Sequence, residues 1–408
     1  MPSKVTKTIL PGGLRVVSEY MPHVKSVAVG VWINTGSREE NPETNGISHF
    51  LEHLAFKGTK NRNTLQIAES LETVGGILNA FTGKEYTCFY AHALDEHLEL
   101  AVDVIADLVC KPLNREEDLE KEKLIILEEI ISLDDIPDEK VLEYFSKNVF
   151  NGHPLSLSIL GTKDSVNSLN HNDIQTYLKD NYTSDRVVVA VAGNVEHEKL
   201  LEYVERYFEL PAGRDFEIKA DNSSGIPGED IHSMSINQAH ICIGNRALSY
   251  SSKSKYALLV MHSLLGGGMS SRLFQKLRED NGVAYSVFSF IDFYSDTGLF
   301  GVYCAVEQKN IDKSLDLIKM EFKNIINEDV PDKELERLKS QLKGNLMLGL
   351  ESTQSRMNRL AKMEIYLKKY VELKNVIDDI NSIKQEDIRK LASDILEGEL
   401  YTTIIAPV

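Results

Sequence analysis

The chain has 408 residues, of which 42% are hydrophobic and 26% are charged, and its formal net charge is −17. This length predicts two domains, or three, with cores of ordinary size that need no disulfide bonds. The composition excludes disorder or a fibrous rod as a description of the whole chain, and no apolar run approaches the ~18 residues of a membrane-spanning helix. The negative charge argues against nucleic acid as a partner, because phosphates favour positively charged surfaces.

The cysteines and the first residues of the sequence bear on the cellular compartment. Cys88, Cys110, Cys242 and Cys304 are scattered and form no Cys-x-x-Cys pair, which favours a reducing environment. The start, MPSKVTKTILPGG, has neither the apolar core of a signal peptide nor an Arg-rich amphipathic stretch. We therefore expect a cytoplasmic protein, with a mature organellar protein as the alternative.

In the first half of the chain, the spacing of apolar residues predicts a mixture of strands and helices. The predicted strands are 16–17, 26–33, two within 77–94, and 187–192. The predicted helices are 46–56, 65–74, 98–109 and 116–133. Gly75-Gly76 follows the second helix and Pro137 follows the fourth, as expected of residues that end helices.

The second half repeats this order of elements. Its first predicted elements are a strand and two helices, at 240–244, 255–265 and 271–279, and a pair of strands and a helix follow. Leu71 and Gly76 align with Leu277 and Gly282. We therefore predict an α+β fold of two tandem homologous domains, each a mostly antiparallel sheet packed against helices.

The boundary between the two domains is predicted from turn-forming residues. Gly, Pro, Ser and Asn are concentrated between Pro211 and Gly228. We place a first domain at 1–212, a linker at 213–228 and a second domain at 229–408.

One helix of the first domain carries a cluster of metal-binding side chains. Positions i, i+3 and i+4 share a helix face, so His49, Glu52 and His53 lie side by side. In this H-x-x-E-H order, two neutral imidazoles can bind Zn²⁺ and the carboxylate can take a proton from a water molecule at the open position of the ion. A surface helix with two unrelated histidines is the alternative for the pattern alone.

A hydrolytic zinc site needs a third protein ligand, and the helix at 116–133 offers carboxylates. Glu122 and Glu129 lie two turns apart on one face, whereas Glu128 points roughly 100° away from Glu129. One member of the Glu128–Glu129 pair could bind the metal and the other could support it. A solvated charged stripe is the more ordinary explanation of this segment when it is taken alone.

These motifs resemble those of a known family. His49-Phe50-Leu51-Glu52-His53, followed by Leu54-Ala55-Phe56-Lys57-Gly58-Thr59, is similar to the motif of the pitrilysin-type zinc metallopeptidases, which include insulin-degrading enzyme and the mitochondrial processing peptidase. Over almost its full length, the chain is most similar to the two-domain branch, namely the processing-peptidase beta subunit and its bacterial homologues.

The resemblance implies a complete metal site in the first domain. The family's third ligand falls on Glu129 here, and its second glutamate falls on Glu122. The resemblance thus implies one Zn²⁺ per chain, bound by His49, His53 and Glu129, with Glu122 supporting the ligands and Glu52 acting as general base. The second domain lacks this motif.

The resemblance also implies substrate-binding residues. Asn79-Ala80-Phe81 falls where the family offers an exposed strand edge, to which an extended peptide adds as a further strand. Arg278 and Tyr285 resemble the pair that holds the substrate and the developing oxyanion, although an isolated Arg and Tyr are usually structural. Glu139 and Glu143 match the two acids of the family's basic-residue pocket, and a solvated acidic helix explains them equally well.

The two-domain architecture bears on the partners of the chain. Long family members close four such domains into a chamber, with the Arg/Tyr pair in the half opposite the zinc. We therefore expect a homodimer in which Arg278 and Tyr285 serve the other protomer's site. The segment 266–270 is shorter than the glycine-rich loop of the processing-peptidase alpha subunit, which favours a homodimer over an alpha/beta pair.

The predicted function is that of a zinc metalloendopeptidase. It would hydrolyse short or unstructured peptides that are bound as an added β-strand inside a closed chamber, and a preference for basic residues near the cut is left open. The alternatives are a catalytically silent scaffold subunit of the same family and a zinc enzyme of another class with a compact pocket for a small molecule.

Overall fold

The structure, a computed structural model, describes residues 4–213 and 225–408. The chain divides into two compact units, each built around one sheet. Most of the predicted linker at 213–228 lies outside the described residues.

Strands and helices follow the predicted order along the chain. The strands are β1 (Lys4–Ile9), β2 (Arg15–Tyr20), β3 (Ser26–Ile33), β4 (Ile77–Thr82), β5 (Thr87–Leu94), β6 (Val187–Gly193), β7 (Glu229–Met234), β8 (Ala239–Ala247), β9 (Ala284–Phe293), β10 (Gly298–Val306) and β11 (Tyr401–Pro407). The helices are α1 (Ile47–Ala55), α2 (Thr64–Glu72), α3 (Leu98–Cys110), α4 (Glu116–Asp134), α5 (Pro137–Val149), α6 (Lys163–Ser168), α7 (His171–Asn181), α8 (His197–Tyr207), α9 (Lys255–Gly266), α10 (Ile311–Asn327), α11 (Asp332–Gly349), α12 (Thr353–Leu367), α13 (Leu373–Ser382) and α14 (Gln385–Leu396). A π-helical segment, Phe274–Asp280, lies between α9 and β9.

The first sheet has the strand order β1-β2-β6-β3-β5-β4. Neighbouring strands are antiparallel except for β2 and β6, which run parallel. The central strands β3 and β6 are rich in Val and are buried along almost their whole length, as expected when both faces of a sheet are covered. Strand β4 lies at the edge and pairs only with β5, so its outer edge is unpaired within the described part of the chain.

The second sheet repeats this topology with the order β7-β11-β8-β10-β9. Strands β8, β10 and β9 take the places of β3, β5 and β4, and β11 takes the place of β6, again parallel to one neighbour and antiparallel to the other. The predicted α+β fold of two tandem homologous domains is therefore confirmed.

Each unit includes one helix from the other half of the sequence. The segment Gly349–Tyr370, with α12, belongs to the first unit, and Ser132–Ser156, with α5, belongs to the second. Helix α12 covers β2, β3 and β6, where Met357 packs in an apolar cluster with Trp32. Helix α5 covers β8 and β11 in the same way.

The compact units therefore differ from the predicted ranges 1–212 and 229–408 at these two helices. The physical reason is that each sheet has two apolar faces. In the first unit, the helices of its own half pack against one face, and α12 packs against the other. No helix of the described residues combines the length and the apolar character that crossing a membrane requires.

Candidate active site

The N-terminus of α1 depends on a glycine just before the helix and on a buried glutamate. Gly46, just before the helix, has a φ of +94°, and a Cβ added there would lie 2.7 Å from the Leu160 carbonyl oxygen. Only glycine fits without strain. The buried Glu40 carboxylate accepts hydrogen bonds from the backbone N–H groups of Gly46 (2.7 Å) and Ser48 (2.9 Å) and from the Asn45 amide (2.8 Å). Glu40 thus supplies partners for N–H groups that the helix itself leaves unpaired.

A second contact fixes the first turn of α1. The Ser48 hydroxyl lies 2.7 Å from the Tyr177 hydroxyl, which lies 2.8 Å from the Thr35 hydroxyl, two residues after β3. Burial raises the pKa of Tyr177, so it serves as a neutral hydrogen-bonding group. The helix that carries the H-x-x-E-H motif is therefore tied to both α7 and the sheet.

The structure brings His49, His53 and Glu129 together. The Nε2 atom of His49 lies 3.7 Å from Glu129 Oε2, and the Nε2 atom of His53 lies 3.6 Å from Glu129 Oε1. Each of the three residues offers one potential ligand atom, and these three atoms all lie within 4.8 Å of one another. No other group of three His, Cys, Asp or Glu side chains in the described ranges meets this criterion. Ligands about 2.0–2.2 Å from a tetrahedral zinc ion lie roughly 3.3–3.6 Å apart, so these residues fit a zinc ion with little movement.

The structure also distinguishes Glu122, Glu128 and Glu129, the three glutamates of α4 that the sequence offered as candidates. Glu129 faces the histidines, whereas Glu128 is exposed. Glu122, two turns before Glu129, is only 2% exposed and accepts a hydrogen bond from His53 Nδ1 at 3.1 Å. Its other carboxylate oxygen lies 2.7 Å from Lys57 Nζ. A hydrogen bond of this kind holds the proton on Nδ1 and leaves Nε2 available for a metal.

The two histidines differ in their surroundings. The Nδ1 atom of His49 is buried and has no hydrogen-bond partner among the described residues. Burial, followed by the nearness of His53, lowers the pKa of His49 to about 4. His49 is therefore neutral at neutral pH, which is the form that binds metals.

Glu52 lies beside His53 and Glu129 and is held by a contact with β4. The Thr82 hydroxyl donates a hydrogen bond to Glu52 Oε2 at 2.5 Å. Burial raises the pKa of Glu52, while the Thr82 hydrogen bond and the nearness of His53 oppose the shift. A carboxylate with a raised pKa is a stronger base, which suits a group that takes a proton from water.

The predicted substrate strand lies next to this helix. Asn79, Ala80 and Phe81 belong to β4, the edge strand that contacts α1 and carries Thr82. Phe81 packs edge-on against Trp32, with ring centroids 5.4 Å apart. The outer edge of β4 pairs with no other strand among the described residues, and the Ala80 N–H donates to the Asn79 side-chain oxygen at 2.8 Å.

Arg278 and Tyr285 lie together in the second unit. The Arg278 guanidinium lies 5.2 Å from the centroid of the Tyr285 ring and 5.0 Å from that of Phe274. Tyr285 is 74% exposed on β9, the edge strand that corresponds to β4. The predicted pair is thus adjacent and accessible, on a different unit from the histidines.

Glu139 and Glu143 lie on α5, also in the second unit. Glu139 is exposed. Glu143 forms an ion pair of 3.0 Å with Lys140, which also contacts Asp134 at 2.9 Å. A peptide cation at Glu143 would therefore compete with a lysine of the chain itself.

Three residues around the site were not predicted from the sequence: Glu40, Lys57 and Thr82. Lys57 and Thr82 lie beside motifs that were recognised, but nothing in their spacing indicates which carboxylate each one contacts. Glu40 precedes α1 by seven residues and reaches its N-terminus only because of the turn between them. A capping residue adjacent to the helix could have been predicted; one this far away could not.

Two family models match the chain. Residues 15–163 match the model described as Insulinase (Peptidase family M16), and residues 168–342 match that described as Peptidase M16 inactive domain. The first range contains His49, His53 and Glu129, and the second contains Arg278 and Tyr285. The match agrees with a metal motif that is confined to the first half.

Relatives with similar sequences and structures were also found. The uncharacterized zinc protease YmxG of Bacillus subtilis (strain 168) is 41% identical, over 97% of this chain and 96% of that protein. A protease from Helicobacter pylori has a similar structure, with a TM-score of 0.90 and 22% identity, over 99% of this chain and 100% of that one. The peptidase M16 inactive domain from Pseudomonas fluorescens matches with a TM-score of 0.93 and 17% identity, over 99% of this chain and 98% of that one. The structural matches support the fold, and the family models together with the sequence relative show that the chain belongs to the insulinase family of peptidases, peptidase family M16.

Proposed function

We propose that this protein is a zinc-dependent endopeptidase that hydrolyses short or unstructured peptides. The observation that carries the proposal is the convergence of His49, His53 and Glu129 within reach of one ion, with Glu52 held beside them by Thr82. In this assignment His49, His53 and Glu129 hold one zinc ion per chain. Zinc, when bound, would polarise the scissile carbonyl and lower the pKa of a water molecule.

The residues of the chain would handle the protons and the substrate. Glu52 would take a proton from the attacking water and pass it to the leaving amine, and the Thr82 hydrogen bond would fix the orientation of its carboxylate. The peptide would add to the unpaired edge of β4 along Asn79, Ala80 and Phe81. Because backbone groups would hold it, the sequence preference would be loose.

The alternative within the family is a silent scaffold subunit. A scaffold subunit no longer needs its metal-binding residues, whereas here both histidines, Glu129 and Glu52 are all present and adjacent. A small-molecule zinc enzyme is the second alternative. Removing zinc with a chelator and restoring it should abolish and restore cleavage of an unstructured peptide. Activity on small esters or amides without peptide cleavage would refute the proposal.

We further propose a cytoplasmic homodimer whose sites are completed across the interface. The adjacency and exposure of Arg278 and Tyr285 support a role as donors to a peptide held by another protomer. Mixing inactive Glu52→Gln with inactive Tyr285→Phe tests this directly, because only a mixed dimer with shared sites contains one intact site. Random re-pairing should then restore about a quarter of wild-type activity. No recovery from a mixture shown to re-pair would refute shared sites.

A preference for basic residues near the cut would involve Glu139 and Glu143. The ion pair between Glu143 and Lys140 predicts that the preference is weak in the wild type, since Lys140 competes with the peptide. Glu143→Ala should lower cleavage of basic peptides selectively, and Lys140→Ala should raise it. Equal changes on neutral peptides would count against this pocket.

A further inference from the structure

Glu122 is a buried carboxylate with both oxygens occupied. Oε2 accepts from His53 Nδ1 at 3.1 Å, and Oε1 lies 2.7 Å from Lys57 Nζ. The Glu122 side chain is 3% exposed and that of Lys57 is 31% exposed. A buried carboxylate needs a cation or several hydrogen bonds to offset its lost hydration. The Lys57 ammonium group is the cation that contacts the Glu122 carboxylate.

The position of Lys57 is built into the fold. Lys57 is the second residue after α1 and lies in the loop that leads to α2 at Thr64. The buried Asp107 of α3 holds this loop, accepting hydrogen bonds from the Asn61 amide at 2.7 Å and from Arg62 Nη1 at 2.9 Å, and a further one from the Thr59 hydroxyl. The loop is therefore fixed at several points, and Lys57 is held at the end of the metal-binding helix.

The two histidines depend on this arrangement unequally. His53 has a protein partner on Nδ1, whereas the buried Nδ1 of His49 has none among the described residues. Among the described residues, a hydrogen bond to Nδ1 therefore fixes the tautomer of His53 but not that of His49. The chain of contacts Lys57–Glu122–His53 is the route by which that control is exerted.

We propose that Lys57 is a positioning residue for the metal: its charge balances the buried Glu122 carboxylate, which then holds the proton of His53 on Nδ1 and aims Nε2 at the ion. The inference rests on the metal site of the proposed function but not on peptide cleavage. Lys57 touches neither the metal nor the substrate in this role, and its effect passes entirely through Glu122.

The test is the zinc affinity of the full-length protein, measured by competition with a chromophoric chelator. Lys57→Met removes the charge and keeps much of the volume, and it should weaken zinc binding about tenfold, as losses behind a metal ligand do. Lys57→Arg restores a charge and should recover most of the affinity. Lys60→Met, an exposed lysine in the same loop, is the matched control and should bind zinc like the wild type.

A double substitution separates this role from a general effect on folding. In a Glu122→Gln background, Lys57→Met should cause no further loss of zinc affinity, because its route of action is already broken. This background also removes the uncompensated buried charge, so the pair can be compared even if Lys57→Met alone folds poorly. Lys57→Met with the affinity of Lys60→Met, or with an equal loss in both backgrounds, would overturn the inference. A Lys57-dependent zinc affinity in a protein that cleaves no peptide would refute the proposed function and leave this inference standing.

Discussion

Glu40 is an example of a residue whose contribution to the site cannot be predicted from the sequence. The helical spacing of His49, Glu52 and His53 was enough to predict that they share a face. Glu129 was selected over Glu128 only through a family resemblance, and the contact of Glu122 with Lys57 joins residues far apart in the chain. Side chains that support a site through tertiary contacts, such as Glu40 and Thr82, carry no local signal, because their partners are defined only once the chain has folded.

Replacing Glu40 with glutamine should destabilise α1. The amide side chain would offer one acceptor atom instead of two, and its NH₂ group would face backbone donors that the Glu40 carboxylate now satisfies. We expect the free energy of unfolding to fall by about 1–3 kcal/mol, the cost of unsatisfied buried groups. Thermal unfolding of the metal-free Glu40→Gln protein measures this.

The matched control is Glu43→Gln, at an exposed glutamate three residues further on. It should unfold at the wild-type temperature. If the Glu40→Gln and Glu43→Gln proteins had the same unfolding temperature, Glu40 would not cap the helix.

At the scale of elements, strand order illustrates the strength and the limit of sequence patterns. Val-rich runs located β3 and β6, and the tandem repeat predicted two sheets of one kind. The edge position of β4 followed from the resemblance and agrees with the strand order. The short edge strand β1 was not predicted, because its alternation of Lys and Thr with Val and Ile resembles that of many exposed segments.

The contact between α9 and β9 should make stability depend on pH. His262 Nδ1 lies 2.7 Å from the Ser289 hydroxyl, which itself donates to the His262 carbonyl, so Nδ1–H must be the donor to Ser289. Burial lowers the pKa of His262. The unfolded chain therefore binds a proton more readily than the folded one. The stabilising contribution is complete above about pH 6.5 and is lost as the pH falls through the lowered pKa.

We expect the unfolding temperature of the metal-free protein to fall between pH 7 and pH 5, and to fall less in His262→Gln. His23→Gln, at an exposed histidine, serves as the control and should keep the wild-type slope. Identical slopes in all three proteins would show that His262 is not a source of the pH dependence.

At the scale of the whole molecule, the exchange of α5 and α12 could not be predicted from sequence. An amphipathic helix reveals which of its faces is buried but not which sheet it covers. The predicted ranges followed chain order, whereas the packing of Met357 against Trp32 places α12 in the first unit. A domain boundary drawn at a turn-rich segment misses such exchanges.

A fragment of residues 1–212 should therefore fail to fold as a native domain, since one apolar face of its sheet would be uncovered. Trp32 is the sole tryptophan of the chain and is fully buried, so its fluorescence reports whether this face is covered. The fragment should show red-shifted emission or aggregate. Joining 349–370 to it through a Gly/Ser linker should restore the emission of the full-length protein; a native spectrum from 1–212 alone would contradict this account.

The central proposal is that Glu52 acts as the general base in peptide hydrolysis, beside a zinc ion held by His49, His53 and Glu129. The most direct measurement is mass spectrometry of an unstructured basic peptide after incubation with full-length, zinc-loaded wild type or Glu52→Gln, with zinc content measured in the same samples. We expect internal cuts by the wild type and equal zinc content in both proteins. Turnover should be about 10²- to 10⁴-fold lower in the variant, the usual contribution of a general base. A Glu52→Gln protein that holds zinc and cleaves at the wild-type rate would contradict this role of Glu52.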